Sequence, residues 1–317
     1  MSESQSAGAQ SASTWGARPS LLEVGELAEA IENDQLQLVY QPIVDLGAQR
    51  VVGAEALLRW ERPGGDSVPA ERLVRFAEAC GLSRQLTWWV VGTALEDAWE
   101  WRRRGHQIDL SVNVSPDQAS HPHRVATLLA HLDARGFEPA HLTIEITETT
   151  VMRDPTGVKG TLNLLRDAGV RVALDDFGTG ESTLSRLQDL PVSELKIDKR
   201  FVARAIEHPT SARLVNFATM LGRGLGLTVV AEGIEDAATF DLVERCRVDR
   251  VQGYLFSKPI HKEKLVAAAE DIARNLRAPV AASDDLSEPM DASAARSEHS
   301  GAVSRVIGSS GQSRPGR

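Results

Sequence analysis

Residues 36–60 read LQLVYQPIVDLGAQRVVGAEALLRW, two apolar runs of strand length joined by the short segment DLGAQR. Parallel strands need a crossover of about a dozen residues or more, so this connection allows only an antiparallel hairpin. Period-two alternation in the second run places Glu55, Leu57 and Arg59 on one strand face. A carboxylate, an apolar side chain and a guanidinium therefore line one surface. A solvent-exposed ion pair between Glu55 and Arg59 is the simpler alternative.

Six further runs of strand length follow this hairpin. From the third strand onward, helix-length stretches such as RVATLLAHLDARG (124–136) and GVKGTLNLLRDAG (157–169) alternate with them, which is typical of parallel strands with crossover helices. A barrel of eight strands needs roughly 250 residues, which the chain supplies. We therefore predict an α/β fold, a modified TIM-like (β/α)8 barrel whose first two strands form an antiparallel hairpin. An open doubly wound sheet is the alternative, but no GxGxxG follows the first strand. The six runs are DLSVNVS (109–115), LTIEITE (142–148), RVALDDF (171–177), ELKID (194–198), TVVAE (228–232) and RVQGYLF (250–256).

Composition separates the two ends of the chain from its middle. Residues 1–20 are rich in Ser, Ala, Gly and Gln, and residues 278–317 in Ser, Ala, Gly and Asp. We predict that both are disordered tails flanking one domain, residues 21–277. The net charge of −9 argues against a DNA- or RNA-binding surface. Because no signal peptide or membrane-length apolar run is present, we expect a cytoplasmic protein without membrane contact.

Acidic side chains stand at or near the ends of the apolar runs. In a barrel of this kind, the carboxyl ends of the strands carry the working residues. A buried anion is costly unless it is paired or bound to a metal, so converging acids indicate cations. A neutral oxygen from Asn113 would suit Mg²⁺ or Mn²⁺. Adjacent aspartates favour a shared cation, although a turn that caps the next helix is an alternative for them. The acids are Glu55, Glu145, Asp175, Asp176 and Glu232.

Lys196 is predicted to face the barrel interior, on the same strand face as Asp198. Only surrounding anions would make a lysine stable there. Next to a metal-bound water, such a lysine can take or relay a proton. Two nearby signals have simpler alternatives: Glu232 and Glu235 as a capping pair at a helix start, and Gln252 as a polar cap on the barrel end.

The order and spacing of these motifs strongly resemble the EAL family of cyclic di-GMP phosphodiesterases, named for the tripeptide found here as Glu55-Ala56-Leu57. The resemblance extends from about Leu38 to Ile260. No diguanylate cyclase motif of the GGDEF type is present, so we expect a stand-alone catalytic module. The matching motifs are YQPIV, GAEALLRW, NVS, EITE, DDFGTG, LPVSELKID, VVAEGIE and VQGYLFSKP.

The resemblance implies hydrolysis of cyclic di-GMP to linear pGpG with two Mg²⁺ or Mn²⁺ ions per active site. Such cations, about 3.5 to 4 Å apart, lower the pKa of a bridging water and neutralise phosphodiester oxygens. Lys196 would contact the attacking water, as general base or by orienting the hydroxide, and would be catalytic together with Glu55 and Glu232. One cation would be held by Glu55, Asn113, Glu145 and Asp175, and the second by Asp175, Asp176 and Glu232.

The resemblance also implies substrate contacts and a homodimer. Glu148 would hold the loop of the DFGTG motif, which couples the metal site to a neighbouring subunit, and Glu235 would be a supporting polar position. After DDFGTG the family commonly has an aromatic residue and two serines, whereas this chain has Glu181, Ser182 and Thr183. That departure concerns regulation and dimer coupling more than metal binding. Substrate contacts are implied for Gln41, Leu57, Arg59, Asp198, Gln252 and Pro259.

A receptor that binds the nucleotide without cleaving it is the competing interpretation. Family members of that kind usually lack a metal ligand or the lysine. This chain has all of them, so we predict hydrolysis.

Overall fold

The structure is a computed structural model of the chain, and it describes residues 23–62, 65, 67–178 and 184–277. The two predicted tails lie outside these residues. So do Glu181, Ser182 and Thr183, the departure from the family pattern.

Nine β-strands form the sheet of the described residues, namely β1 (Gln37–Asp45), β2 (Arg50–Glu61), β3 (Ser67–Val68), β4 (Asp109–Asn113), β5 (Leu142–Thr147), β6 (Arg171–Phe177), β7 (Glu194–Ile197), β8 (Thr228–Ala231) and β9 (Arg250–Val251). Their order is β1-β9-β8-β7-β6-β5-β4-β2-β3, and β1 also pairs with β2. Eight strands therefore close into a barrel, and β3 extends from β2 as a ninth. The predicted barrel is confirmed, and each of its eight strands overlaps one of the eight predicted runs. β3 was not predicted, and β9 is shorter than its run.

β1 runs antiparallel to both of its neighbours in the barrel. It pairs with β2, where Gln41 lies opposite Glu55, and with β9, where Val44 lies opposite Val251. The other neighbours in the barrel pair in parallel. The predicted hairpin is thus confirmed, since the segment between β1 and β2 is too short for a crossover. We call the end of the barrel where β2 and β4–β9 finish the mouth, and the opposite end the base.

The described residues also form α1 (Val24–Glu32), α2 (Ala70–Ala79), α3 (Ser83–Arg103), α4 (Pro116–Ala119), α5 (His123–Asp133), α6 (Glu148–Arg153), α7 (Pro155–Asp167), α8 (Leu184–Asp189), α9 (Lys199–Val202), α10 (Pro209–Gly224), α11 (Ala237–Arg245) and α12 (Lys262–Arg277). Side-chain caps define several helix starts. Asp154, Asp198 and Asp236 accept hydrogen bonds from backbone N–H groups at the starts of α7, α9 and α11. Across the described part of the chain, no helix combines the length and the apolar character that crossing a membrane requires.

The core lies between the strands and the surrounding helices. Leu110, Leu174, Leu195 and Val229 are among its buried apolar side chains. α10 packs so closely on this layer that a Cβ at Gly222 would lie 2.6 Å from Val229 Cγ2. Only a glycine permits that approach without displacement of a neighbour.

Paired charges, in contrast, close the base of the barrel. Asp109 Oδ2 accepts a hydrogen bond from Arg171 Nη2 at 2.7 Å, and Asp109 Oδ1 lies 2.8 Å from His141 Nδ1. Glu194 Oε1 lies 3.2 Å from Arg250 Nη1. Each acid here has at least one basic partner, as buried charges require.

Candidate active site

The eight barrel strands each bring one polar side chain to the mouth. Strand closure makes neighbours of residues that are far apart in sequence: Gln252 Nε2 donates to Gln41 Oε1 at 3.0 Å across 211 positions. Six of the side chains lie within strands β1, β2 and β4–β7, and two directly follow β8 and β9. In strand order from β1 to β9, omitting β3, they are Gln41, Glu55, Asn113, Glu145, Asp175, Lys196, Glu232 and Gln252.

Lys196 lies at the centre of the acidic side chains. Its Nζ is 2.6 Å from Glu145 Oε2 and 2.7 Å from Glu232 Oε1. It is 3.4 Å from Glu55 Oε2 and 3.5 Å from Asp175 Oδ1. The side chain is 2% exposed. The predicted interior lysine is therefore surrounded by four carboxylates, and one positive charge faces four potential negative charges.

This imbalance moves the pKa values of the cluster. Burial, and then the charge of Glu55, raise the pKa of Glu145 well above its usual value. Burial is also the largest influence on Glu232 and raises its pKa to about 8, with Asp175 and Glu55 adding to the effect. Burial alone would lower the pKa of Lys196, but the four surrounding acids together raise it well above its usual value. The surroundings thus favour the protonated form of Lys196, and burial with mutual repulsion favours the neutral forms of Glu145 and Glu232.

Two amides hold Glu55 in place. Asn113 Nδ2 donates to Glu55 Oε1 and Gln252 Nε2 donates to Glu55 Oε2, each at 2.8 Å. Burial acts most strongly on Glu55 and favours its neutral form, but Lys196 and these hydrogen bonds outweigh it and lower the pKa of Glu55. Glu55 thus favours the ionised form more strongly than Glu145 and Glu232 do. Further along the same face of β2, Leu57 and Arg59 are half-buried.

Asp176 belongs to a second group of charges beside the cluster. Its backbone has a φ of 57°, an uncommon conformation for a residue with a side chain, and its N–H donates to Asp175 Oδ1 at 2.8 Å. Its carboxyl group hydrogen-bonds with Asp198, and burial, followed by the charge of Asp175, raises the pKa of Asp176 to about 7. Asp198 also accepts from Arg200 Nε at 3.0 Å. The predicted substrate contact Asp198 therefore lies next to a predicted metal ligand.

The donor set suits divalent cations by its chemistry. Carboxylate and amide oxygens are the ligands that Mg²⁺ and Mn²⁺ prefer, and the excess of acids over cations supplies the charge. Within residues 23–277 as far as they are described, no three Asp, Glu, His or Cys side chains are already grouped as they would be around a metal ion. The Lys196 ammonium lies between the carboxylates instead. The residues therefore fit a metal site whose formation would take carboxylate contacts from Lys196.

The remaining predicted residues lie around the mouth in different environments. Glu148 is buried at the first position of α6, Pro259 is half-buried, and Glu235 is exposed. The structure describes the DFGTG motif only as far as Gly178, whose φ is 99°. A Cβ there would lie 2.9 Å from Phe201 Cε2. Phe201, which lies against Gly178, was not predicted, because only the fold brings the short helix KRFV to that glycine.

Comparisons with known proteins cover most of the described residues. The EAL domain family matches residues 24–259. The oxygen sensor protein DosP of Escherichia coli (strain K12) is 40% identical over 246 residues, which cover 75% of this chain and 30% of DosP. The bifunctional diguanylate cyclase/cyclic di-GMP phosphodiesterase MucR of Pseudomonas aeruginosa is 37% identical over 244 residues, which cover 77% of this chain and 36% of MucR. The chain thus spans about a third of the length of these relatives.

Solved structures match over a similar part of the chain. The PaMucR phosphodiesterase in its c-di-GMP complex has a TM-score of 0.73 and 37% identity, covering 76% of this chain and 98% of that one. The EAL enzyme Bd1971, in its cAMP and cyclic-di-GMP bound form, has a TM-score of 0.72 and 30% identity, covering 77% of this chain and 67% of that one.

Proposed function

The chain belongs to the EAL domain family, and on that premise we propose that it hydrolyses cyclic di-GMP to linear pGpG with two divalent cations, Mg²⁺ or Mn²⁺, per site. The observation that carries the proposal is the complete mouth: acids and amides from separate strands surround one buried lysine, Lys196. A barrel needs no such unbalanced group for stability, because unpaired buried anions are costly. The solved PaMucR phosphodiesterase with c-di-GMP, 37% identical, supports the choice of nucleotide.

The proposed ligand sets are those that the family resemblance implies. Glu55, Asn113, Glu145 and Asp175 would hold one cation, and Asp175, Asp176 and Glu232 the second. When bound, the two cations would supply a water of lowered pKa and charge neutralisation at the phosphodiester. The charge of Lys196 and the hydrogen bonds from Gln252 and Asn113 lower the pKa of Glu55 and so favour its ionised form. Metal binding would require Asn113 to turn its amide oxygen toward the cation.

Lys196 would act as a charged hydrogen-bond donor that orients the attacking water. Its Nζ lies within 3.5 Å of four carboxylates, so its charge is close to the groups that would hold the cations. Cations would replace part of its contact with Glu145 and Glu232, and free an N–H group for the water. The lysine would then be both a catalytic residue and a counter-charge of the carboxylates around it.

The substrate would lie over the face of β2 that carries Glu55. Arg59, half-buried on that face, would hold a phosphate oxygen, and Leu57 would contact the nucleotide. Gln41, Asp198, Gln252 and Pro259 complete the proposed pocket. Buried Glu148 would hold the loop of the DFGTG motif, which the family resemblance links to a homodimer, and Glu235 would be a supporting polar position.

Turnover of cyclic di-GMP, followed by chromatography with Mg²⁺ or Mn²⁺, tests this function. We expect pGpG from the wild type and at least about 100-fold less from Glu145→Gln, which removes one proposed metal ligand. Glu194→Gln is the matched control, because Glu194 is also a buried strand acid but lies at the base with Arg250 as its partner. It should retain wild-type turnover when folded.

Equal activity of the Glu145→Gln and Glu194→Gln variants would contradict the assignment of the mouth as the active site. Nucleotide binding without product, with either metal, would instead identify the chain as a receptor.

A further inference from the structure

Asp97 is a buried acid of the helical layer that the proposed mechanism does not use. It lies in α3 and is 5% exposed. Its two carboxylate oxygens have different partners: Oδ2 accepts from the Tyr40 hydroxyl at 2.6 Å, and Oδ1 accepts from Lys262 Nζ at 2.7 Å. One carboxylate thus joins three elements, α3, β1 and the start of α12.

We call residues 257–262, which leave the barrel after β9, the strap. Of the two partners of Asp97, Lys262 is the last residue of the strap and Tyr40 pairs with the strap from β1. The backbones of Tyr40 and Ile260 exchange two hydrogen bonds, of 2.7 and 2.9 Å. Gln41 Nε2 donates to the Ser257 carbonyl oxygen at 3.3 Å. The strap is therefore fastened to β1 at its beginning and middle, and to α3 at its end through Lys262.

Alternation along β1 links this outer contact to the mouth. Tyr40 faces the helices, fully buried, with its ring 4.7 Å from that of Trp101 in an edge-to-face arrangement. The next residue, Gln41, faces the barrel interior and accepts the hydrogen bond from Gln252. A shift of Tyr40 would consequently move Gln41 on one side and Ile260, with its neighbour Pro259, on the other.

We propose that Asp97 is a positioning residue for nucleotide binding, which holds the strap against β1 so that Gln41 and Pro259 keep the pocket in shape. This inference rests on the proposed function, because those two residues are its proposed nucleotide contacts. Asp97 touches neither the metal ligands nor Lys196 among its hydrogen-bond and ion-pair partners. Its loss should therefore weaken binding and leave the chemical step intact.

The test measures binding and turnover separately in the full chain. In EDTA, calorimetry with cyclic di-GMP gives Kd without turnover; with Mn²⁺, initial rates give KM and kcat. For Asp97→Asn we expect Kd and KM to rise roughly tenfold and kcat to stay within about twofold of wild type, since misplacement of binding groups is costly even when it is small. Hydrogen exchange of the Tyr40 and Ile260 amides should accelerate in the same variant.

Two further variants separate positioning from a general loss of stability. Lys262→Met removes the ion pair between the strap and Asp97. Because Lys262 is partly exposed, this variant can replace Asp97→Asn if that one does not fold. It should raise Kd by a smaller factor. Asp249→Asn is the control, because Asp249 Oδ2 likewise accepts a 2.8 Å hydrogen bond from the Val229 N–H, but at the base. Its Kd should equal that of the wild type.

Unchanged Kd and amide exchange in both Asp97→Asn and Lys262→Met would overturn the inference and leave the proposed function standing. A wild type that binds but yields no pGpG would overturn hydrolysis, while the Kd values would still decide the role of Asp97. A fall in kcat at unchanged Kd would also overturn the inference. A wild type that binds no cyclic di-GMP would overturn both.

Discussion

Among single residues, Glu232 gives the metal-free protein a distinctive pH dependence. Its pKa is about 8 in the folded state against a usual value of 4.5. Between these values the folded protein retains a proton that the unfolded chain has released. The stabilisation of the folded state by this proton is fully present below about pH 4.5 and is lost as the pH rises to 8. Asp176, with a pKa of about 7, acts in the same direction. We therefore expect the free energy of unfolding in EDTA to fall from pH 5 to pH 8.

Urea titrations at pH 5, 6.5 and 8 measure this dependence. Glu232→Gln should flatten it, because glutamine does not titrate. Saturating Mg²⁺ should flatten it too, since a bound cation keeps the carboxylates ionised in the folded state. A slope that is the same in EDTA, in Mg²⁺ and in Glu232→Gln would show that the acidic cluster does not control stability.

The site residues were accessible to sequence reasoning to different extents. Glu55, Glu145 and Lys196 stand in or next to strand patterns, so alternation and the rule that strand ends carry the chemistry suffice to place them together. The hydrogen bond from Gln252 to Glu55 depends on closure of the ring, and no local pattern encodes it. The same holds for Asp97, which in sequence is one acid among others on a long helix.

At the scale of elements, α10 contains one glycine that has no room for a side chain and one that has room. A Cβ at Gly222 would lie 2.6 Å from Val229 Cγ2, whereas a Cβ at Gly224 meets nothing within 4 Å. Gly222→Ala should therefore destabilise the protein by about 1–3 kcal/mol through overpacking against β8. Gly224→Ala, in the last turn, should be neutral or stabilising by up to about 0.5 kcal/mol. Chemical unfolding of both variants measures the difference, and equal effects would refute close packing of α10.

The strands themselves were largely readable from the sequence, and the exceptions have local causes. The run RVQGYLF predicts a long last strand, but β9 ends at Val251. Gly253 follows, and its backbone lies so close to Ile234 that a Cβ would collide with the main chain. The chain turns there to leave the barrel, a tertiary contact that apolar periodicity does not reveal. β3 has two residues and no periodicity to detect.

For the whole molecule, we expect substitutions at the base of the barrel to lower stability without changing activity. Asp109→Asn at the base would leave Arg171 and His141 without their shared carboxylate, and should cost about 2–3 kcal/mol of unfolding free energy. Its kcat and KM, measured on folded protein, should stay within about twofold of wild type. Glu100→Gln is the control, because its partner Arg104 is exposed and such pairs contribute less than about 1 kcal/mol. A large loss of activity in Asp109→Asn would contradict this separation.

The reversed direction of β1 determines where the chain enters the barrel. In a barrel of eight parallel strands, the segment before the first strand would approach from the base. Here it approaches at the rim of the mouth, and α1 is joined there to the end of β2, because Glu26 Oε1 lies 2.6 Å from Arg62 Nε. Arg62 stands three residues beyond the proposed phosphate-binding Arg59. A domain fused in front of α1 would consequently sit beside the mouth, next to the ion pair that joins α1 to the end of β2.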